Sequence, residues 1–352
     1  MVFQRKKDLV GIDIGSSSVK LVQLKEVRGG YQLTNLGMAM LPPEAIVDNA
    51  IMDSSAVVSV IRELVESHKI KTKNVATSIS GHSVIIRKIL LPIMTEEEME
   101  ASIQWEAEQY IPFEISEVNL DFQILGPDAN DPSQMSVILV AAKKDFVNDY
   151  VALFRECGLT PLVMDVDCFA IANVYEANYG VAENEVVALI DLGASSLNVN
   201  ILKGGMSVFT RDIQMGGNVY NEELQKRLGL SSEDAERIKL GDESGGVPPA
   251  TVAAIIEDAT EALTTDIQRS LDFFSASSAD ERPRKVFITG GVSKVQAIRT
   301  SLSQRLGVDV QLIDPWRQIS YNKKDFDPDY LQAMGPLFTV AVGLAMRRVG
   351  DK

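Results

Sequence analysis

The sequence predicts an α/β fold built as two similar halves that face each other across a cleft. Two observations carry this. The stretch Gly11-Ile12-Asp13-Ile14-Gly15-Ser16-Ser17-Ser18-Val19-Lys20 ends an apolar run in Asp-x-Gly and adds three hydroxyl residues. A β pattern then resumes at Val19, Leu21, Val22 and Leu24, which reads as a β-hairpin with a tight turn. The chain then repeats itself. Ile190-Asp191-Leu192-Gly193-Ala194-Ser195-Ser196-Leu197 matches 12–19 position for position, with an apolar lead-in (Val186, Val187, Leu189) and an alternating lead-out (Val199, Ile201).

Such a turn presents backbone N–H groups, hydroxyls and one ammonium, Lys20, to an anion. Asp13, where the strand ends, is placed to hold a cation. Asp, Gly and Ser are also ordinary turn residues for backbone reasons, so one copy says little. Two copies imply that each half supplies one hairpin to the same nucleotide.

Residues 9–40 read as strands, and Pro42-Pro43 breaks the pattern. A helix is expected over 54–68, with Val57, Val58, Ile61, Leu64 and Val65 on one face, and a strand over 75–80. The block 82–158 then changes rhythm. It holds a β-prone run at 84–91 and a helix opened by the capping box Thr95-Glu96-Glu97-Glu98, with Met99, Ile103, Ala107 and Tyr110 inward. An alternating strand at 118–124, a polar loop at 126–134, a strand at 137–142 and a helix at 143–157 complete it. This block is read as an inserted subdomain with its own small core.

A strand at 162–165 and a helix at 168–179 lead back to the main body. Beyond the second hairpin (186–202) come helices at 218–228 and from Ser231 or Ser232 to Gly241, then a loop at 241–249. A long amphipathic helix follows at about 250–277, with Val252, Ile256, Ala259, Leu263, Ile267, Leu271 and Phe274 on its buried stripe. A strand at 286–289 runs into Gly290-Gly291, followed by a helix at 296–306 and a strand at 308–313. An apolar helix at 334–348 closes the chain; it is too short to span a bilayer.

Composition bounds the function. The 352 residues allow one to three domains, and 45% hydrophobic with 24% charged residues suits a soluble globular chain. A net charge of −15 argues against nucleic acid as a partner. Cys157 and Cys168 read as buried reduced thiols of a cytosolic protein, and His68 and His82 lack the cysteines a zinc site needs. The basic start, Arg5-Lys6-Lys7, has no apolar h-region behind it, so a cytoplasmic protein is expected.

Two Asp-x-Gly hairpins, a strand ending in Gly290-Gly291 and a linking helix after each half resemble the signatures of the actin, sugar-kinase and heat-shock ATPase superfamily. Neither a Walker A pattern nor a dinucleotide fingerprint competes. Within it the chain is most similar to the PilM family, cytoplasmic actin-like proteins of type IV pilus assembly and relatives of FtsA. The specific stretches are Gln104-Trp105-Glu106-Ala107-Glu108-Gln109-Tyr110-Ile111-Pro112-Phe113, Glu117-Val118-Asn119-Leu120-Asp121, the opening 11–24 and the closing 340–347. The resemblance implies an actin-like ATPase fold. Subdomain 1A would take 1–81, 159–184 and 331–352, and an FtsA-like 1C would be inserted at 82–158. Subdomain 2A would take 185–215 and 286–330, and 2B 216–285.

It also implies ATP and Mg²⁺ as cofactors. Gly15, Ser16, Ser17, Ser18 and Lys20, with Gly193, Ala194, Ser195 and Ser196, would receive the phosphates. Asp13 and Asp191 would hold Mg²⁺ mostly through its waters. Gly290, Gly291 and Val292 would approach adenine, Gly216 and Gly217 would lie on the ribose side, and Glu236 and Lys239 would flank the adenosine. On spacing alone, Glu236 and Lys239 also suit a surface ion pair. Asn198 stands where the first hairpin has Lys20, so one lysine is available. Asp167 falls where an acidic residue positions the attacking water in chaperone-type relatives. It is a methylene shorter than Glu, and Cys168 replaces a common proline, so slow or negligible turnover is expected.

For partners, the resemblance implies a platform that captures the N-terminal cytoplasmic tail of the inner-membrane protein PilN in a groove between 1A and 1C, through an exposed strand edge. Pilus motor ATPases and the platform protein would be further partners, with the membrane reached only indirectly. Trp105 suits either a packed aromatic or a partner anchor. An FtsA-like division protein is the alternative; that family ends in a linker and membrane helix, whereas this chain stops at Val349-Gly350-Asp351-Lys352. A small-molecule kinase ranks third, because no carboxylate set stands out beyond Asp13, Asp167 and Asp191.

Overall fold

The computed structural model describes residues 8–128, 131–242, 246–278 and 281–351. The basic start and parts of the loops expected at 126–134 and 241–249 lie outside them. Two sheets form the frame. In the first, β1 (Val10–Ile14), β2 (Ser18–Val27) and β3 (Gly30–Met40) run as an antiparallel meander. Beside β1, strands β6 (Asn74–Ile79) and β10 (Thr160–Val166) add in parallel. The minor strands β4 (Ile46–Val47) and β5 (Ala50–Ile51) pair with each other.

The second sheet repeats the plan. Strands β11 (Val186–Leu192), β12 (Leu197–Lys203) and β13 (Met206–Ile213) form the meander, and β14 (Lys285–Thr289) and β15 (Val310–Leu312) add in parallel beside β11. The duplicated hairpin thus marks a duplicated sheet. Strand β16 (Ile319–Ser320) pairs with β3. Strand β13 has no counterpart in the sequence reading, because Arg211 and Asp212 break its apolar alternation.

The block after β6 holds a third sheet in the order β7 (Val84–Pro92), β9 (Gln134–Lys143), β8 (Val118–Pro127). Helix α2 (Glu96–Glu108) covers it, opened by the expected capping box of Thr95 and Glu98. Ile89, Met99, Ile103, Val137 and Leu139 form a core of their own there. The helix after β9, α3 (Lys144–Glu156), packs elsewhere: its Leu153 and Phe154 join Val57, Ile61 and Leu64 of α1 (Ser54–Ser67).

Helix α4 (Asp167–Tyr179) leaves β10 and leads to the second half. There α5 (Asn218–Leu228), α6 (Ser232–Lys239, capped by Ser231), α7 (Pro249–Ser277) and α8 (Gln296–Leu306) follow their predicted places. The last helix, α9 (Pro328–Met346), starts a turn and a half earlier than expected. Asp327 caps it and Pro328 occupies the first turn, a start signal hidden behind a polar stretch. Among the described residues no helix is long and apolar enough to cross a membrane. Cys157 and Cys168 are free thiols.

Candidate nucleotide cleft and peptide groove

The two hairpin turns have one geometry. The Gly15 N–H donates to the Ser18 carbonyl at 3.1 Å, and the Gly193 N–H to that of Ser196 at 3.0 Å. Strand register sets Asp13 opposite Lys20 and Asp191 opposite Asn198. The Lys20 ammonium lies 3.2 Å from Asp13 Oδ2, with both side chains mostly covered. Asn198 instead donates to Asp212 Oδ1 at 2.7 Å. Ser17 is exposed, Ser16, Ser195 and Ser196 are half-buried, and Ser18 is buried below the turn.

The second turn is also a docking point. Gly217 N–H donates to the Gly193 carbonyl at 2.9 Å and Asn218 N–H to that of Ala194 at 2.8 Å. A β-carbon on Gly216 would stand 2.6 Å from the Ala194 oxygen, so only glycine allows this approach. Gly290, at φ 82°, donates its N–H to the Pro336 carbonyl at 3.0 Å, and a β-carbon there would meet Asp191 Oδ1 at 2.5 Å. A β-carbon on Gly217 would meet Val292 Cγ2 at 2.5 Å and Lys239 Nζ at 3.7 Å. Lys239 is nearly covered and donates to Glu236 Oε2, which also accepts from Asn221 Nδ2 at 2.8 Å. The structure therefore brings Gly193, Ala194, Gly216, Gly217, Glu236, Lys239, Gly290 and Val292 around one turn. Gly291 faces open space.

Carboxylates meet between the hairpins. Asp191 is pushed up to about 7, chiefly by burial and then by the charges of Asp167 and Asp13, while Lys20 opposes the shift. Asp167 is pushed up to about 6 by burial and by Asp13 and Asp212, against hydrogen bonds from Ser78 and Ser80. Among the described residues no three His, Cys, Asp or Glu groups converge closely enough to chelate a metal directly. The donor set still fits a hard divalent ion held largely through water. Asp13 and Asp191 would hold it, and its charge would relieve their mutual repulsion. Sequence reasoning missed Asp212, Ser78, Ser80 and Asn221. The legible signal for Asp212 was its place opposite Asn198 in an unread strand.

A pH dependence follows. Both carboxyls titrate higher in the fold than at their usual 3.8, so the native state keeps protons that the unfolded chain has released. Stability from these two groups is greatest near pH 4 and falls as pH rises through 6 and 7. Asp191→Asn is expected to raise the melting temperature at pH 8 in EDTA and to leave it nearly unchanged at pH 4, as scanning calorimetry would show.

A groove of about 780 Å³ opens on the other side of β10. Leu120, Phe122 and Val140 of the third sheet form one wall, Met164 of β10 and Phe169 of α4 another, and Met206 at the β12–β13 turn an end. Strands β8 and β10 are edge strands of their sheets, and both border the groove. Arg347 Nε sits 3.1 Å from Asp165 Oδ2 on its lining; burial raises the Asp165 carboxyl and Arg347 lowers it.

The family model for the type IV pilus assembly protein PilM matches residues 11–349. The solved structure of a PilM–PilN type IV pilus biogenesis complex is 30% identical, covers 99% of this chain and 100% of its own, and superposes with a TM-score of 0.88. The cell division protein FtsA of Escherichia coli K12 is 22% identical over 96% of this chain and 90% of its own length. MreB5 of Spiroplasma citri, solved with AMPPNP, shares the fold at a TM-score of 0.51 and 13% identity, covering 96% of this chain and 95% of its own. The duplicated sheets and paired hairpins are an actin-like ATPase fold, and the chain belongs to the PilM family of type IV pilus assembly proteins.

Proposed function

We propose that the protein is an ATP-binding cytoplasmic platform that holds the N-terminal cytoplasmic tail of PilN in the 780 Å³ groove and joins it to the pilus motor machinery. The groove carries this reading. It lies between the first sheet with α4 and the inserted sheet, in a chain whose solved relative is a PilM–PilN complex. Strands β8 and β10, each at the edge of its sheet, offer main-chain hydrogen bonds to an extended peptide, and the apolar walls offer pockets for alternate side chains. In subdomain terms, the groove separates 1A (1–81, 159–184, 331–352) from 1C (82–158), the β12–β13 turn of 2A (185–215, 286–330) closes one end, and 2B (216–285) lies across the cleft.

In the cleft, the two turns receive the phosphates on backbone N–H groups, serine hydroxyls and Lys20. Mg²⁺ supplies charge neutralisation when bound. Asp167 is the group placed to orient a water, and its side chain, a methylene shorter than Glu, suits a binding role with little turnover. Nucleotide then acts by contacting both halves at once and favouring the closed cleft.

Leu125→Asp tests the groove. Leu125 lines it without joining any buried core, so folding is expected to survive. Calorimetry should show PilN-tail affinity falling about 10-fold or more, the effect of one unpaired charge on an apolar wall. Mg-ATP affinity should be unchanged. Unaltered tail binding would move the peptide elsewhere.

A further inference from the structure

We infer that Arg347 selects the peptide held in the groove, its terminal guanidinium nitrogens donating to an uncharged carbonyl oxygen of the captured tail. The inference rests on the groove reading above. Arg347 caps the C-terminus of α9, the helix buried against the first sheet, and its N–H donates to the Leu344 carbonyl at 3.1 Å. Its backbone is therefore held by a rigid element. The side chain is 18% exposed and reaches Asp165, whose Oδ1 accepts from the Val166 N–H at 2.8 Å. Both residues line the groove.

The way the two meet leaves donors over. A guanidinium facing a carboxylate usually docks as a fork, with two parallel N–H bonds. Here Nε stands 3.1 Å from Asp165 Oδ2, yet neither of these covered atoms makes an aligned hydrogen bond. The fork is turned away from the carboxylate. Among the described residues no hydrogen bond engages its two terminal nitrogens, and unlike Nε they are not covered. Their N–H groups remain for whatever fills the groove.

Charge decides the kind of acceptor. Asp165 already balances Arg347, and Asp121 and Glu176 line the same groove. A carboxylate on the tail would join three others against one guanidinium, in a chain of net charge −15. A neutral carbonyl oxygen takes the donors without that repulsion. It belongs either to the main chain of an extended peptide along β10 or to an Asn or Gln side chain of the tail.

The test is calorimetric titration of the full chain with the N-terminal cytoplasmic peptide of PilN from the same genome. Arg347→Met should weaken binding about 10-fold or more, the scale of losing a hydrogen bond from a charged donor. The double variant Asp165→Asn, Arg347→Met removes the buried charge that the single change strands, so it is expected to keep the fold and to show the same loss. An alanine scan of the tail then finds the acceptor. If one Asn or Gln substitution abolishes the difference between native and variant chains, the oxygen belongs to that carboxamide; if no substitution does, it belongs to the main chain. Abolition by any other substitution, an Asp or Glu above all, overturns the inference. Binding by the double variant within about threefold of native also overturns it, and leaves the groove reading to Leu125→Asp. A native chain that does not bind the tail overturns both.

Discussion

Lys20→Met is expected to weaken Mg-ATP binding by about 100-fold, the scale of losing charge-assisted hydrogen bonds to an anion. The size comes from the balance of charge in the cleft. Asp13, Asp167, Asp191 and Asp212 act on one another there, and Lys20 is the cation that opposes the upward shift of Asp191. The second hairpin carries Asn198 in the equivalent position, already engaged with Asp212, so no second ammonium takes over. Removing Lys20 also leaves Asp13 without its partner at 3.2 Å, which turns the phosphate turn repulsive to an anion. Calorimetry measures the loss, and capture of the PilN tail by the same variant shows that the fold is intact. A change within about threefold would mean that the backbone N–H groups dominate phosphate binding and that the ammonium does not contact it.

Gly343→Val is expected to cost about 3 kcal/mol or more, because it forces two backbones apart where no side chain can yield. Helices α4 and α9 cross at this point. A β-carbon on Gly343 would stand 2.5 Å from the carbonyl carbon of Ala170 and 2.9 Å from its Cα. On another face of α9, Gly11 of β1 lies so close that a β-carbon would meet the Ala345 nitrogen at 2.6 Å. The apolar stretch at the end of the chain is thus a helix buried against the first sheet, and its small residues are what let it in. Scanning calorimetry should show a drop in melting temperature of roughly 4 °C or more. Because α4 leads from the first half to the second, the variant should also lose cleft closure on Mg-ATP, visible by small-angle scattering. A melting temperature unchanged within about 2 °C would place the helix crossing elsewhere.

The fold was legible because duplication is a pattern that local chemistry cannot disguise. Asp13-Ile14-Gly15 and Asp191-Leu192-Gly193 end strands the same way, and the sheets behind them share one strand plan. Elements with clean periodicity or a capping box, such as α2 and α7, were legible for the same reason. Strand β13 was not, since it lies at a sheet edge, where the half-buried Thr210 and the exposed Arg211 and Asp212 dilute the alternation. With it went Asp212. The start of α9 was hidden because a polar run, Asn322–Asp325, leads into it, although Leu331 in its first turn is buried in the core. The placement of α3 on α1 was hidden as well, since an amphipathic helix shows that it buries a face but not against which sheet. In the cleft, glycine motifs were visible in sequence because close backbone approach leaves no room for a side chain. Asn221 and the two serines beside Asp167 carry no motif; only folding brings them to the carboxylates and to Glu236.

The central claim is that the groove between β10 and the inserted sheet holds the PilN tail. Its most direct test is a calorimetric titration of the full chain with the N-terminal cytoplasmic peptide of the PilN from the same genome, with and without Mg-ATP. The account predicts saturable binding at one peptide per chain, weakened about 10-fold or more in Leu125→Asp. No binding in either condition, or binding that Leu125→Asp leaves intact, would contradict it.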